Sequence, residues 1–186
     1  MHAERKKHMI FFGHIGPTML LLKAYDKITE KKDVTKIDYR FVVIGSVLPD
    51  LIDKPIGAFF FRNQFENTRL FAHSLLFSGI LLLIGLYLMI KNKKRTNSIF
   101  ILGICSLIHQ LLDSMWLYAT TFYWPFLGWK FPTRPEGKWL MQGFERLLTD
   151  PVYFVFEIVG LAIVTYFAVK LIKSKKIKQF IKTGVL

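Results

Sequence analysis

Hydrophobic positions along this chain form long runs instead of the short alternating patterns of a soluble domain. Two runs, 70–90 and 152–172, have the roughly 20 residues that a helix needs to cross a bilayer core. A third run, 98–119, is equally long but carries a histidine and an aspartate in its second half. Two shorter apolar runs cover 9–22 and 40–61. The pattern predicts an all-α, polytopic integral membrane bundle of about five apolar helices.

Prolines divide the two shorter runs. Pro49 and Pro55 interrupt the longer of them, so we expect one helix to end there and a turn to follow. The run 9–22 follows a basic stretch, so it fits either a retained helix or the apolar core of a secretory signal. His14 and Pro17 interrupt it and no A-x-A cleavage site follows, which favours a retained helix.

Composition agrees with a membrane protein of one domain, 1–186. Of the 186 residues, 52% are hydrophobic, and the formal net charge is +13. The basic residues lie in short runs beside apolar segments, as at 91–95 and 170–182, which is typical of membrane flanks and not of a nucleic-acid-binding face. We therefore expect no nucleic-acid partner. The single cysteine, Cys105, excludes an intrachain disulfide and a metal site built from cysteines.

The basic runs also predict a multi-pass topology in the plasma membrane, because cytoplasmic loops are enriched in Lys and Arg. The run 91–95, the loop 23–40 with its six Lys and Arg, and the tail 173–186 are expected to be cytoplasmic. The segments 50–69 and 120–151 then lie outside. The basic N-terminus conflicts with this arrangement if the first helix spans, and a re-entrant or tilted first helix would remove the conflict.

His109 and Asp113 pose the main chemical question, because burying a carboxylate in hydrocarbon costs several kcal/mol. They are four residues apart and therefore share one helix face. In the predicted topology, ionisable groups from four segments lie at the same outer level: His14, Asp50, Asp53, His73, His109 and Asp113. Imidazole and carboxylate groups from converging helices are the ligands of zinc and similar divalent ions, and such an ion would neutralise the carboxylates. The alternatives are a neutral His–Asp hydrogen bond that stabilises the bundle and an aspartate that solvates backbone amides at the helix break.

Four ordered motifs, "GSVLPDLIDKPIG", "RLFAHSLLF", "IHQLLDSMW" and "YWPF", resemble those of the membrane-bound metal-dependent hydrolase family, YdjM-like, over about residues 14–126. These are small integral-membrane proteins, most of which lack a defined substrate. The family is distantly similar to zinc-dependent phospholipase C and the single-strand zinc nucleases, where an early His, an Asp, a His and a later H-x-x-x-D bind metals. The resemblance implies as metal ligands the matching positions His14, Asp50, His73, His109 and Asp113.

The chain departs from the family pattern at several positions. Of a His-Arg-Gly triplet common among relatives only Arg69 is present, and Asp53 is displaced by one position with Lys54 in place of a histidine. No histidine follows His109, so a complete three-metal cluster is not expected. One ion is expected, and Glu157 is the candidate carboxylate for a second.

The resulting functional expectation is a metal-dependent hydrolase whose site faces the extracytoplasmic side. A zinc-type ion would activate water against a phosphoester in a lipid or amphiphilic substrate. Asp50 or Asp53 would orient that water and accept its proton, and Arg69 would hold the phosphate. Two alternatives belong to other classes: a structural metal site in a non-catalytic membrane protein, and an ion- or proton-conducting bundle. Conduction requires polar groups through the full depth of the bundle, whereas the inner halves of 70–90 and 98–119 are apolar.

Overall fold

The computed structural model describes residues 11–29, 37–61, 67–93, 97–133, 145 and 147–186. Most residues of these ranges are helical, and the ranges contain no strand. The helices are α1 Phe12–Thr29, α2 Tyr39–Pro55, α3 Leu75–Lys91, α4 Ser98–Leu112, α5 Ala119–Phe122, α6 Pro151–Lys173 and α7 Ile177–Thr183, with a π-helical turn at Ile56–Phe60 and a 3₁₀ turn at Met115–Leu117. The all-α class is confirmed.

Five helices pack as successive neighbours in the order α6, α1, α2, α4, α3. Glycines allow the closest of these contacts. A Cβ at Gly16 would meet the backbone of Gly160, and a Cβ at Gly160 would meet the carbonyl of Phe12. The backbones of α1 and α6 therefore touch, as in membrane helix pairs joined through small residues.

The membrane spans that the sequence predicts are only partly present. Within the described ranges, α6 is the one helix whose length and apolar composition suffice to cross a bilayer, while α3 and α4 are apolar but shorter. A bundle of five spans is therefore not confirmed. Large apolar side chains nevertheless lie exposed along α3 and α6, among them Leu83 at 68% and Tyr166 at 61%.

Two expected boundaries were wrong. The run 98–119 is not one helix, because α4 ends at Leu112, with Asp113 as its C-cap and Ser114 in the left-handed region at φ 53°. Pro49 does not end α2, which continues to Pro55. Pro49 has no N–H to donate within the helix, and one turn earlier the Ser46 carbonyl accepts a hydrogen bond from the side chain of His109.

Candidate metal centre

One end of the bundle gathers the residues that the sequence singles out. The start of α1, the end of α2, the turn before α3 and the end of α4 all lie there. The segment before α3 supplies His73, and Asp113 caps α4. The five predicted ligands are at most 7% exposed: His14, Asp50, His73, His109 and Asp113. The structure thus brings together side chains that are up to 99 positions apart in the chain.

The five side chains approach one another through one atom each. His14 Nε2 lies 3.3 Å from Asp113 Oδ1, and His73 Nε2 lies 3.5 Å from Asp50 Oδ1. His109 Nε2 lies 4.0 Å from the same Asp50 oxygen. Two overlapping groups, one of His14, Asp50 and His109 and one of His73, His109 and Asp113, each have ligand atoms within 4.8 Å of one another. His109 belongs to both groups and connects them.

Two of the imidazoles are held by their other ring nitrogen. Nδ1 of His73 lies 2.7 Å from Asp53 Oδ2, and Nδ1 of His109 lies 2.7 Å from the Ser46 carbonyl oxygen. A carbonyl oxygen only accepts, so Nδ1 of His109 carries the proton and donates it. In a neutral ring, Nε2 then keeps a lone pair directed at the cluster. An imidazole held through Nδ1 by a carboxylate or carbonyl is the usual arrangement of a metal-binding histidine.

The two candidate carboxylate ligands are held in a similar way, by cations. Lys54 Nζ donates to Asp50 Oδ2 at 2.6 Å. Arg69 donates to Asp113 Oδ2 from Nε at 3.0 Å and from Nη2 at 2.8 Å. In each carboxylate one oxygen is engaged by a cation, and the other, Oδ1, faces the imidazoles.

Several atoms of this cluster have no hydrogen-bond partner within the described part of the chain: both ring nitrogens of His14, Nε2 of His73 and His109, and Oδ1 of Asp50 and Asp113. The approach of His14 to Asp113 is an ion pair only if the imidazole is protonated, and its geometry is not that of a hydrogen bond. Buried polar atoms without a partner are rare, because each costs free energy. Here the atoms without a partner are imidazole nitrogens and carboxylate oxygens that face one another, and these are the ligand atoms that a zinc-type divalent ion takes. The residues present therefore fit such an ion.

Asp53 has both carboxylate oxygens occupied by its own surroundings. They accept hydrogen bonds from the backbone N–H groups of Leu70, Ala72 and His73 at 2.7 to 3.0 Å, in addition to the contact with the His73 ring. This carboxylate fixes the turn that presents His73 and does not point at the cluster. Arg69 donates to the Asp113 carboxylate, and its expected role in holding a phosphate stays a prediction.

Glu157 is not brought into the cluster. Its carboxylate accepts hydrogen bonds from the backbone N–H groups of Phe11 and Phe12 at 3.1 and 2.9 Å. These N–H groups lie at the start of α1, where a helix leaves its first donors unpaired and favours a negative charge. Glu157 thus fixes the turn that precedes His14, and we do not include it among the candidate ligands.

Sequence reasoning missed three contributors to the site. Lys54 was seen only as a replacement for histidine, although its position four residues after Asp50 on one helix could have indicated the ion pair. Gln110 donates to the carbonyls of Ala72 and Ser74, on either side of His73. No local pattern indicates the contacts of Gln110 or the hydrogen bond between His109 and Ser46, because each joins residues that are far apart in the chain.

Comparison with known proteins then supplies a family. The family described as YdjM inner membrane protein matches residues 9–177, which is most of the chain. The chain belongs to this family. YdjM membership indicates a membrane protein and confirms that part of the resemblance drawn from the motifs. No curated protein and no solved structure matches the chain, so the likeness to phospholipase C and the zinc nucleases stays a prediction.

Proposed function

We propose that this YdjM-family protein is a metal-dependent hydrolase that cleaves a phosphoester in a lipid or amphiphilic substrate. The observation that carries the proposal is the inward-facing set of unpartnered donor atoms on His14, Asp50, His73, His109 and Asp113. A divalent ion held there would stabilise the negative charge that develops at a phosphoryl group and would favour the ionisation of water.

The charge of the site supports an anionic substrate. Asp50, Asp53 and Asp113 face one ammonium and one guanidinium, of Lys54 and Arg69. With neutral imidazoles the cluster carries one net negative charge, which one divalent ion converts to one net positive charge. A phosphodiester carries a single negative charge and would leave the buried site neutral, which is the state that a low-dielectric environment favours.

The chain's own residues have distinct roles in this proposal. His73 and His109 present fixed lone pairs because Asp53 and the Ser46 carbonyl hold their other nitrogens. Asp50 is the ligand beside the partly exposed Lys54, whose side chain is 21% accessible, so the site is approached from this side. We assign to Asp50 the acceptance of the proton from the attacking water.

An amphiphilic substrate is favoured by the apolar surface at this end. Phe59, Phe60, Phe126 and Trp129 are each more than 75% exposed. The loop of Phe126 and Trp129 joins the site through Trp124, whose ring packs 5.2 Å from that of Phe71, two residues before His73. A substrate with an apolar portion would contact these side chains while its ester reaches Asp50.

A structural metal site is the second candidate, and the burial of the ligands favours it. His14, His73 and His109 are 0% exposed and Asp113 is 1% exposed. Structural zinc sites are coordinatively closed, whereas catalytic ones keep a position for water or substrate. Both candidates require a metal, and they differ in whether the ion exchanges a ligand.

Elemental analysis of the purified protein tests the shared premise. We expect about one equivalent of zinc-type metal in the wild type and a loss of most of it in His109→Ala and Asp113→Asn, because the first removes an inward-facing nitrogen and the second replaces a carboxylate by a neutral amide, which is a weaker ligand. Asp150→Asn is the matched control, since Asp150 caps α6 outside the cluster. Glu157→Gln should also keep its metal. Equal, trivial metal in the wild type and in both ligand variants would overturn the proposal.

Hydrolysis separates the two candidates. Metal-loaded protein in detergent is tested on bis(p-nitrophenyl) phosphate, p-nitrophenyl phosphate and a phospholipid in mixed micelles, with and without a chelator. The proposal expects turnover of a phosphodiester that the chelator abolishes and added zinc restores. A fully metal-loaded protein that cleaves none of the three would support the structural site instead.

A further inference from the structure

The opposite end of the bundle contains a groove of about 200 Å³ between the ends of α1 and α6. Its basic lining is Lys23, Lys170 and Lys176, and its apolar wall includes Phe167 and Leu171. None of the described side chains that line it is acidic. Lys170 is thirteen residues beyond Glu157 on α6, which places the groove about 20 Å from the start of α1 and the metal centre.

We propose that this groove binds the phosphate of an anionic glycerophospholipid, with an acyl chain along its apolar wall. The helix that forms the wall is, within the described part of the chain, the one with full spanning length, and it ends at Lys173. Phe167 and Leu171 are one turn apart and lie on the same face as the Ser174 end of the groove. Cations at the mouth and apolar side chains below them match the order of a phospholipid from head to tail.

The lysine side chains at the mouth of the groove are not needed to cap the C-terminus of α6. The backbone N–H groups of Ser174, Lys175 and Lys176 donate to the last carbonyls of α6, those of Lys170, Ile172 and Leu171. A helix C-terminus ordinarily attracts its own lysine side chains to those carbonyls. Because the backbone already satisfies them, the ammonium groups of Lys170 and Lys176 remain available to a ligand.

Lys23 differs from the other two lysines of the groove. Its Nζ lies 3.2 Å from Asp26 Oδ2 and 3.0 Å from a main-chain oxygen of Leu186, so its ammonium group is already engaged by the protein. Lys170 and Lys176 are exposed, and within the described residues neither is in an ion pair with a carboxylate. Two unneutralised cations favour an anionic head group over a zwitterionic one, which would add a positive charge of its own.

The adjoining helix α7 places the groove at the level of a membrane surface. Ile177 and Ile181 are 43% and 66% exposed and lie one turn apart, beside Lys178 and Lys182. Exposed apolar and basic residues on one short helix are typical of a helix that lies in the head-group region. The helix is fixed to the bundle by the Arg40 guanidinium, which donates to the Ile181 carbonyl at 2.6 Å.

Lipid binding to the purified full chain in a neutral detergent tests the proposal. The probes are dihexanoyl phosphatidylglycerol, dihexanoyl phosphatidylcholine and inorganic phosphate, and the readouts are native mass spectrometry and the lipid-dependent melting temperature. We expect phosphatidylglycerol to bind roughly tenfold or more tightly than phosphatidylcholine, and the double variant Lys170→Gln/Lys176→Gln to lose that preference. The matched control, Lys173→Gln/Lys178→Gln, removes the same charge outside the groove and should retain it.

Three results would overturn the proposal: no preference between the two lipids, an equal loss in both double variants, or inorganic phosphate binding as tightly as the lipid. The second would mean that only the diffuse positive charge attracts anions, and the third that the acyl chain contributes nothing. Metal content serves as a check on folding and should equal that of the wild type in all lysine variants. The outcome does not depend on whether the metal centre hydrolyses anything.

Discussion

The two ends of this bundle handle charge in opposite ways. At the metal-centre end, Asp53, Arg69 and Asp113 are at most 7% exposed, and each has specified partners. At the other end, Lys170 and Lys176 border a groove and are exposed. Buried charges require exact hydrogen bonding because their desolvation is costly, whereas exposed charges act together and are screened by salt. The metal-centre end therefore depends on the exact positions of individual charges. The groove end depends on the summed positive charge of several lysines.

This difference predicts that single substitutions matter most at the metal-centre end, and Asp53 provides the strongest test. Asp53→Asn keeps the size of the side chain but places an N–H₂ group where a carboxylate oxygen accepts from one or two backbone N–H groups, and it removes the charge beside His73. We expect the free energy of unfolding to fall by about 3 kcal/mol or more. Denaturant unfolding in detergent measures it, beside Asp38→Asn at the other end. Equal losses in the two variants would remove the contrast between the ends.

A middle-sized effect is expected for the two cations that orient the ligand carboxylates. Lys54→Gln and Arg69→Gln each free one oxygen of Asp50 or Asp113 without removing a proposed metal ligand. Loss of a group that orients a ligand typically lowers metal affinity about 10- to 100-fold.

Competition with a chromogenic chelator measures that affinity, and Lys173→Gln serves as the matched loss of a cation far from the centre. If all three variants bind metal as the wild type does, the two cations do not orient the ligands.

The smallest effect is expected for the half-buried pair of Asp38 and Arg40. Hydrogen bonds from the Arg40 side chain hold the pKa of Asp38 below its ordinary value. Because the pKa is lower in the folded state, the pair contributes stability above the ordinary carboxyl pKa of about 4 and loses it as the pH falls further. Asp38→Asn should therefore lower the melting temperature slightly near neutral pH, and the difference should shrink as the pH falls below about 4. High salt should reduce the difference. A difference that persists in acid and in salt would mean that the charge of Asp38 is not what stabilises the pair. An N-cap role alone predicts no difference, because the amide oxygen of the variant can still accept from the Arg40 N–H.

The sequence predicted the members of the centre better than the connections among them. The spacing of His109 and Asp113 and the common level of the ionisable groups indicated which side chains would meet. Helix periodicity fixes the first feature, and the distribution of basic residues indicated the second. The pairing of Arg69 with Asp113 spans 44 positions, and no local pattern encodes it. The early end of α4 was missed because the apolar run continues past Leu112 while the backbone turns at Ser114. The sequence predicted that α2 ends at Pro49, because a proline inside a helix usually interrupts it.

The contact between α1 and α6 has a consequence for how the protein is made. His14 is near the start of the chain, yet its helix is positioned by Glu157 and Gly160, which emerge from the ribosome about 145 residues later. The first ligand therefore reaches its place only after the helix that contains these two residues has been synthesised and inserted. We expect nascent chains that end before α6 to lack a complete coordination sphere, so that loading with metal follows biogenesis and does not guide it.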